Sequence, residues 1–285
     1  MPRTVHVNIH ELFQASPVVR LADSGKNCLK HGSLQGRIAL VTGASAGIGL
    51  AIAKTLAQKG VTVIACARNT DTLLALNRDG EIPKGTKIHV IKTDLTKEQE
   101  VLALYKEIAA QHGKLDILIN NAGMGGKGTL LDGDFEEWKN LVDLNILALT
   151  LSTREAVKLI DGKSTNGHII NVNSIVGHRV PNMPSAHFYT GTKHMVTALT
   201  EGLRKTLQSK NIRVTSVSPG AVETEFAERA LGKDPEASAM VKAYFAKAKA
   251  LEAQDIADAV VYALSVPAHV NIDELTITPT QQVTL

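Results

Sequence analysis

One tyrosine and one lysine have a spacing that suits proton transfer. Tyr189 and Lys193 form a Tyr-x-x-x-Lys pattern inside a stretch with helical periodicity. Residues four apart share one face of a helix, so the ammonium group should lie near the phenol and lower its pKa from about 10. Chance alone often places these two residue types four apart on a helix. The pair by itself therefore indicates an acid-base site only weakly.

Two further polar residues could act together with this pair. Ser174 ends the apolar run HIINVNS, and Asn145 lies in a long stretch with helical periodicity. Taken singly, each is more often a helix cap or a surface residue than a catalytic group. Their order and their setting along the chain favour a joint role.

A glycine-rich turn has the composition of a phosphate-binding loop. The run 42–49 (TGASAGIG) stands between a strand pattern and a helical pattern. Gly43 permits the tight turn, while Gly47 and Gly49 let the backbone approach a pyrophosphate at the N-terminus of the helix. The spacing G-x3-G-x-G differs from the common G-x-G-x-x-G. The position between a strand and a helix therefore carries much of the inference.

Arg68 stands where a dinucleotide site selects between its two cofactors. It follows the second predicted strand, in the acid-free stretch CARN. An acid at this place binds the ribose 2′-OH of NAD(H), whereas an arginine accommodates the 2′-phosphate of NADP(H). A lone arginine at a strand end is often only solvated. Together with the glycine turn, however, it favours NADP(H) over NAD(H).

The elements that position these residues alternate between strands and helices. Short apolar runs predict strands over 37–42, 62–66, 87–92, 115–120, 168–172, 213–217 and 275–278. Longer amphipathic stretches predict helices over 48–58, 70–78, 97–111, 134–159, 186–210 and 254–264. Such alternation is typical of an α/β fold with a parallel sheet and helices on both faces. Ligand sites in such sheets lie at the carboxyl ends of the strands.

The bulk composition indicates a globular protein and argues against several classes. The 285 residues are 44% hydrophobic and 21% charged, and the net charge of +3 is scattered, so no nucleic-acid partner is predicted. No stretch approaches the ~18–20 apolar residues of a membrane span, and the signal-peptide pattern is missing. Cys28 and Cys66 form neither a disulfide framework nor a metal pair. We expect a cytoplasmic protein without a bound metal.

Together these motifs resemble the short-chain dehydrogenase/reductase family. The runs TGASAGIG, NNAG, VDLNI, INVNS, YTGTK and SPGAVET occur at the matching elements over about residues 36–285. The resemblance implies a Rossmann-like three-layer sandwich with a seven-stranded sheet. It also implies a catalytic tetrad of Asn145, Ser174, Tyr189 and Lys193. We expect residues 1–35, which the resemblance does not cover, to form a peripheral or poorly ordered extension.

The resemblance further implies how NADP(H) would be bound. Asp94 would hold the adenine, and residues 121–123 would line the side of the adenosine ribose. Gly220, Val222 and Thr224 would contact the nicotinamide end and the pyrophosphate. The cofactor-binding residues expected on this basis are Gly43, Ser45, Gly47, Ile48, Gly49, Arg68, Asn69, Asp94, Leu95, Asn121, Ala122, Gly123, Tyr189, Lys193, Pro219, Gly220, Val222 and Thr224.

The implied reaction is the transfer of a hydride between NADPH and a carbonyl carbon. In the reductive direction, Tyr189 would donate a proton to the carbonyl oxygen and Ser174 would hydrogen-bond the same oxygen. Lys193 would hold the nicotinamide ribose and lower the pKa of Tyr189. Asn145 would order a water that resupplies the proton.

The substrate is less well determined by the sequence. The loop between Ser174 and Tyr189 is longer than is usual in the family and should lie beside the substrate. Candidate substrate residues are Met124, Val176, His178, Val180 and His187. Core packing explains the apolar ones equally well, and histidines are more often surface residues than ligands.

At finer grain, the chain resembles a subgroup that holds reductases of keto-steroids and dicarbonyls and insect farnesol dehydrogenases. This implies a medium-sized apolar ketone, aldehyde or alcohol as the substrate. Two alternatives remain open: an NAD(P)+-dependent alcohol dehydrogenase that acts oxidatively, and a catalytically idle NADPH-binding scaffold. Since the family usually pairs long helices such as 134–159 and 186–210 between subunits, we expect a homodimer or homotetramer.

Overall fold

The computed structural model describes residues 33–78, 80–83, 86, 88–226 and 249–282. Residues 1–32 of the expected extension, with Cys28, lie outside the described residues, as does Lys87 at the start of the third predicted strand. Leu34, near the end of that extension, is buried in the core. In the described part of the chain, no helix is long and apolar enough to cross a membrane.

Strands and helices alternate along the chain as the apolar pattern predicted. The strands are β1 (Ile38–Thr42), β2 (Thr62–Ala67), β3 (Ile88–Lys92), β4 (Ile117–Asn120), β5 (His168–Val172), β6 (Arg213–Pro219) and β7 (Glu274–Ile277). The α-helices are α1 (Gly47–Gln58), α2 (Asp71–Leu76), α3 (Glu98–His112), α4 (Phe135–Val142), α5 (Leu149–Ile160), α6 (His187–Leu207) and α7 (Ala253–Ser265).

The seven strands form one parallel sheet in the order β3-β2-β1-β4-β5-β6-β7. The chain adds β2 and β3 on one side of β1, and then crosses back to place β4 on the other side. A crevice forms at the carboxyl ends of the strands where the order reverses, and ligands bind there in folds of this kind. The predicted Rossmann-like α/β architecture is confirmed.

Two hydrophobic cores cover the two faces of the sheet. Successive strand residues point to opposite faces, so Val41 of β1 belongs to one core and Leu40 to the other. Helices α1, α2 and α7 contribute to the first core, while α3, α5 and α6 contribute to the second. Cys66 of β2 is buried in the second core. The sheet is thus covered on both sides, which leaves its carboxyl edge for the site.

The predicted long helix over 134–159 is not continuous. A π-helical turn at Asp143–Ala148 separates α4 from α5. In this turn, the side chain of Asn145 binds the backbone of Met124 in the loop after β4. Single π turns inside α-helices often mark functional sites. The apolar periodicity of the sequence does not reveal such a local change of hydrogen bonding.

Candidate active site

Tyr189 and Lys193 lie in the first two turns of α6. The Nζ atom of Lys193 is 5.8 Å from the centre of the Tyr189 ring. It donates a hydrogen bond to the carbonyl oxygen of Val172, at 3.0 Å. Since Val172 is the last residue of β5, this buried lysine connects helix α6 to the carboxyl edge of the sheet.

Loss of solvent shifts the proton affinities of both side chains. Burial raises the pKa of Tyr189 above its ordinary value, and a side-chain hydrogen bond with Ser174 opposes part of that rise. Burial lowers the pKa of Lys193 to about 8. The expected lowering of the Tyr189 pKa is not found in the chain alone, because desolvation of the phenolate outweighs the neighbouring groups. Tyr189 is therefore protonated at neutral pH.

Ser174 lies in the turn after β5, beside Tyr189. Its Oγ atom accepts a hydrogen bond from the backbone N–H of Val176 at 3.3 Å, and so caps the 3₁₀ turn Ile175–Gly177. The same side chain hydrogen-bonds the side chain of Tyr189. The structure thus brings the serine, the tyrosine and the lysine together at the carboxyl end of β5.

Asn145 reaches the same region from the π turn. Its Oδ1 accepts a hydrogen bond from the N–H of Met124 and its Nδ2 donates to the carbonyl of Met124, both at 2.9 Å. Nδ2 also donates to the Oγ1 of Thr192 at 3.1 Å. A Cβ atom added to Gly123 would lie 3.3 Å from Asn145 Oδ1 and 3.9 Å from Lys193 Nζ. All four residues of the expected tetrad therefore surround one small volume.

The glycine turn after β1 depends on its glycines for conformation and for close packing. Gly43 and Gly47 have φ angles of +64° and +53°, which side-chain-bearing residues rarely adopt. A Cβ atom on Gly47 would lie 3.2 Å from Thr224, which follows β6. A Cβ atom on Gly49 would lie 2.4 Å from Asn121 Nδ2 and 2.4 Å from the carbonyl oxygen of Gly43. Gly49 therefore allows α1 to approach the backbone of the turn itself.

The NNAG run after β4 holds the glycine turn in place. The side chain of Asn121 donates hydrogen bonds to the carbonyl oxygens of Thr42 and Gly43, at 2.9 and 3.1 Å. The hydroxyl of Thr42 accepts from the N–H groups of Asn121 and Ala122, at 3.0 and 3.1 Å. The side-chain N–H groups of Asn121 thus bind the protein backbone, and they stabilise the shape of the turn.

The N-terminus of α1 fits the pyrophosphate of a dinucleotide. No side chain in the described part of the chain caps this end at Ala46, and its first turn holds no acid. The first N–H groups of a helix lack partners within it, and the helix dipole favours an anion there. Ser45 and Ile48 of the turn are both partly buried. The turn therefore suits a bound phosphate group better than a neutral ligand.

Arg68 and Asp94 lie close together at the neighbouring ends of β2 and β3. Arg68 is exposed. Partial burial acts to raise the pKa of Asp94, but hydrogen bonds from Thr96 and the charge of Arg68 leave that pKa below its ordinary value. Asp94 therefore carries its charge at neutral pH, next to an accessible guanidinium group.

Two neighbours of this pair serve the protein locally. The Oδ1 of Asn69 accepts a hydrogen bond from the N–H of Asp71 at 2.9 Å, at the start of α2. The side chain of Leu95 is buried in the core beneath the sheet edge. A cofactor would therefore contact Asn69 without breaking this hydrogen bond, and it would contact Leu95 without displacing its buried side chain.

The segment after β6 lies beside the glycine turn. Pro219 ends β6, and a Cβ atom on Gly220 would lie 2.3 Å from the Oε1 of Gln282. Val222 packs against the first core, and Thr224 lies beside the glycine turn. The structure thus places the residues expected at the nicotinamide end and at the pyrophosphate along one edge of the crevice.

Both histidines of the predicted substrate loop have protein partners. The Nε2 atom of His178 lies 3.0 Å from the Oγ of Ser218 and 3.3 Å from the Oε1 of Glu274. The Nε2 atom of His187 lies 3.0 Å from the carbonyl oxygen of Pro181. These contacts tie the loop to β6, to β7 and to itself, and they account for both side chains without a ligand.

The apolar candidates differ in exposure. Val176 is buried, Val180 is exposed, and Met124 is held through its backbone by Asn145. The ring of Phe226, which is partly exposed, lies 5.8 Å from the ring of Tyr189. An apolar side chain therefore lies beside the tyrosine, at a position that the sequence did not predict.

Several residues that shape the site were not singled out from the sequence. Thr192 and Thr42 stand inside the recognised runs YTGTK and TGASAGIG, so a search for polar residues on the buried side of each run could have found them. Phe226 has no local signal. The stack of Trp138 on Phe188, with ring centres 5.1 Å apart, joins α4 to the residue before Tyr189. It depends on contact between elements far apart in sequence.

The chain is similar in sequence to known proteins over most of its length. Residues 37–234 match the family described as short chain dehydrogenase. The protein named Dehydrogenase/reductase SDR family member 11 from Bos taurus is 46% identical over 254 residues, covering 87% of this chain and 98% of that protein. A farnesol dehydrogenase from Aedes aegypti is 36% identical over 249 residues, covering 86% of this chain and 96% of that protein.

Solved structures share the same fold. The closed form of a serine dehydrogenase in complex with NADP+ has a TM-score of 0.79 and 29% identity, covering 87% of this chain and 96% of that one. An alcohol dehydrogenase from Thermococcus sibiricus in complex with 5-hydroxy-NADP has a TM-score of 0.74 and 27% identity, covering 87% and 99%.

Proposed function

The chain belongs to the short-chain dehydrogenase family, and from that premise we propose that it is an NADPH-dependent reductase of ketones and aldehydes. Members of the family are oxidoreductases, and their fold binds a nicotinamide cofactor. The observation that carries the proposal is the convergence of Ser174, Tyr189 and Lys193 at the carboxyl end of β5, with Asn145 beside them.

Preference for NADP(H) is supported by charge at the ends of β2 and β3. Arg68 offers an exposed planar cation where a 2′-phosphate would lie, and planar cations bind phosphate in a bidentate manner. The end of β2 itself carries no acid. Two structural relatives hold NADP+ or 5-hydroxy-NADP. The uncapped N-terminus of α1 would bind the pyrophosphate of the same cofactor.

The reductive direction is supported by the proton affinity of Tyr189. Its pKa lies above the ordinary value, so the phenol is protonated at neutral pH, which is the state that a proton donor must have. An oxidative reaction would first need this group to accept a proton as phenolate, which burial disfavours.

The proposed mechanism assigns one task to each side chain. When bound, NADPH would supply the hydride that the carbonyl carbon receives. Tyr189 donates its proton to the carbonyl oxygen, and the Ser174 hydroxyl hydrogen-bonds that oxygen as charge develops on it. Lys193 would hold the nicotinamide ribose, and it offers positive charge beneath the phenol. After transfer, solvent protons restore Tyr189.

Asn145 has a supporting task in this proposal. Its side chain fixes the backbone of Met124 by two hydrogen bonds, so that the loop after β4 keeps its shape beside Lys193. A fixed loop leaves a defined space in which a water can reach the lysine. We therefore propose that Asn145 orders this water.

A medium-sized apolar substrate is supported by the surroundings of Tyr189. Phe226 lies against the tyrosine ring, and Val180 and Met183 of the loop after β5 expose apolar surface. We propose that Met124, Val176 and Val180 contact the substrate. We propose the same for His178 and His187, which would keep their protein partners. The substrate would be of the keto-steroid, dicarbonyl or prenyl type.

One specific observation favours a second function. The relative from Aedes aegypti is named a farnesol dehydrogenase, which is an alcohol-oxidising activity. An NAD(P)+-dependent oxidation of a prenyl alcohol by this chain would use the same residues in the opposite direction. It would then require a basic optimum, because Tyr189 must lose its proton before it can accept one.

We place the catalytic unit at residues 36–285, with residues 1–35 as an extension, and we place the protein in the cytoplasm. The location is supported by the thiol of Cys66, which is buried and free, because free thiols are typical of a reducing compartment. A homodimer or homotetramer is supported by apolar side chains exposed on the long helices, Leu147 in the π turn and Met195 on α6.

The decisive experiment follows absorbance at 340 nm with purified protein. It compares NADPH with NADH against keto-steroids, diketones, quinones and prenyl aldehydes, and it runs farnesol with NADP+ in parallel. Turnover with NADPH that the Tyr189→Phe variant loses, while that variant still binds NADPH, supports the proposed reductase. Near-normal activity of Tyr189→Phe contradicts the mechanism. Tight NADPH binding without any turnover favours the idle scaffold.

A further inference from the structure

We infer that Thr192 is a positioning residue that links Tyr189 to Asn145, an inference that rests on the proposed function of the same site. Thr192 lies on α6 between Tyr189 and Lys193, and only 5% of it is exposed. Its Oγ1 donates a hydrogen bond to the backbone carbonyl of Tyr189 at 2.7 Å. The same oxygen accepts a hydrogen bond from Asn145 Nδ2 at 3.1 Å.

The single hydroxyl hydrogen of Thr192 determines the direction of this chain of bonds. That hydrogen is used by the carbonyl of Tyr189, which can only accept. Towards Asn145, therefore, the hydroxyl acts as an acceptor and requires the N–H side of the amide. The amide oxygen is then left to receive the N–H of Met124. Thr192 and the backbone of Met124 thus require the same orientation of the Asn145 side chain, and Thr192 holds it from the side of the helix.

The linkage extends from the helix to the loop after β4. Both N–H groups of the Asn145 amide have partners, one in Thr192 and one in the carbonyl of Met124. If the hydroxyl of Thr192 is removed, one of these buried donors loses its acceptor, and the amide gains freedom to turn. The loop at Met124 would then move relative to Tyr189. Displacements of this kind far from the reacting atoms can lower a rate by about 100-fold.

The same helix provides a matched control. Thr200 is 1% exposed, accepts a hydrogen bond from Asn171 Nδ2 at 2.8 Å, and donates to the carbonyl of Val196 at 2.7 Å. It therefore bridges an asparagine amide to its own helix just as Thr192 does. Its asparagine belongs to β5 and lies outside the tetrad. The two threonines therefore differ in the asparagine that they bind, which is a tetrad residue only for Thr192.

The kinetic experiment compares Thr192→Val with Thr200→Val in the full chain. Both changes keep the shape of the side chain and remove one hydroxyl. We expect Thr192→Val to lower kcat for carbonyl reduction by about 10- to 100-fold, with the KM for NADPH within about twofold of wild type. We expect Thr200→Val to keep kcat within about twofold, and Thr192→Ser, which restores the hydroxyl, to do the same.

A second measurement separates this inference from the proposed function. Hydrogen exchange at the Met124 amide, which bonds to Asn145, should become at least about tenfold faster in Thr192→Val and stay unchanged in Thr200→Val. We expect these exchange rates even if the wild-type protein reduces none of the carbonyls. That outcome would contradict the proposed function but not the role of Thr192.

Three results would overturn the inference: equal loss of kcat in the two valine variants, loss in Thr192→Ser as large as in Thr192→Val, or unchanged exchange at Met124. Should Thr192→Val fail to fold, Thr192→Cys takes its place, because a thiol is a weak hydrogen-bonding group of similar size. The same outcomes then apply to the cysteine variant.

Discussion

The ammonium group of Lys193 is held by the carbonyl oxygen of Val172, 3.0 Å away, and by no carboxylate of the described residues. A carbonyl dipole compensates a buried charge only in part, so burial lowers the pKa of the lysine to about 8. The positive charge beneath the phenol of Tyr189 is therefore present at neutral pH and is lost in mildly alkaline solution.

Carbonyl reduction should consequently fall as the pH rises through about 8. Below that value Lys193 is charged, and above it kcat/KM should decrease by up to about tenfold per pH unit, since kcat/KM reports the free enzyme. The pKa of Tyr189 is raised, so the tyrosine does not produce this limb. A profile from pH 6 to 10 measures the effect. In Lys193→Arg, whose charge persists, the limb should vanish, and a flat profile in wild type would contradict the assignment.

The cofactor preference should depend on Arg68. In Arg68→Ala, we expect the Kd for NADPH to rise by about 10- to 100-fold, because bonds to a phosphate are lost, while the Kd for NADH changes by less than about twofold. Cofactor fluorescence during titration measures both. Arg78, exposed after α2, provides the control, and Arg78→Ala should change neither constant. Equal losses for the two cofactors in Arg68→Ala would sink the 2′-phosphate argument.

The sequence was sufficient for most of the fold. Each predicted strand is present within one or two residues, because buried parallel strands are apolar on both faces and cannot be mistaken for surface. The break in the predicted helix 134–159 could not be foreseen. It arises where Asn145 binds the backbone of Met124, a contact between residues 21 apart in sequence.

Within the site, residue types were more predictable than their partners. The glycines of the turn are where the pattern placed them, yet Gly49 gives space to Asn121 and to the backbone of Gly43. The proximity of Lys193 to Tyr189 was also foreseen, but the raised pKa of the tyrosine was not. Local spacing reports which charges are near, whereas desolvation depends on everything that packs around a group.

A second pH effect, from a buried histidine, should appear in stability. His168 is fully buried at the start of β5, with its Nε2 atom 2.8 Å from the Oγ1 of Thr215. Burial, and then the charges of Arg213 and Arg37, lower its pKa well below 6.5. The unfolded chain therefore binds a proton below about pH 6.5 that the folded chain refuses. The stability from this group is complete above pH 6.5 and is lost as the pH falls below it.

Urea unfolding between pH 5 and 7.5 should show this loss. The free energy of unfolding should fall by up to about 1.4 kcal/mol per pH unit below 6.5, and His168→Gln should remove most of that slope. Burial also lowers the pKa of His112, so a smaller dependence of stability on pH should remain in this variant. His269→Gln, at an exposed position, is the control and should keep the wild-type slope. An unchanged slope in His168→Gln would refute the assignment.

Arg213 begins β6 and holds the end of α7 against the sheet. Its buried guanidinium group donates hydrogen bonds to the carbonyl oxygens of Ala263 and Val270, at 3.3 and 3.2 Å, and to the Oδ1 of Asn166 at 3.1 Å. Burial, followed by the charge of Arg37, lowers its pKa to about 10, so it remains charged at neutral pH. One side chain thus satisfies acceptors from three separate segments.

Replacing Arg213 should therefore cost stability and spare the chemistry, since it lies at the opposite edge of the sheet from Tyr189. In Arg213→Met, the buried carbonyl oxygens keep their places but lose their donor, and we expect the free energy of unfolding to fall by about 2–4 kcal/mol. Urea unfolding at pH 7.5 measures this. Arg179→Met, at an exposed position, should stay within about 0.5 kcal/mol of wild type. If both variants are equally stable, the carbonyl contacts of Arg213 contribute nothing to holding α7.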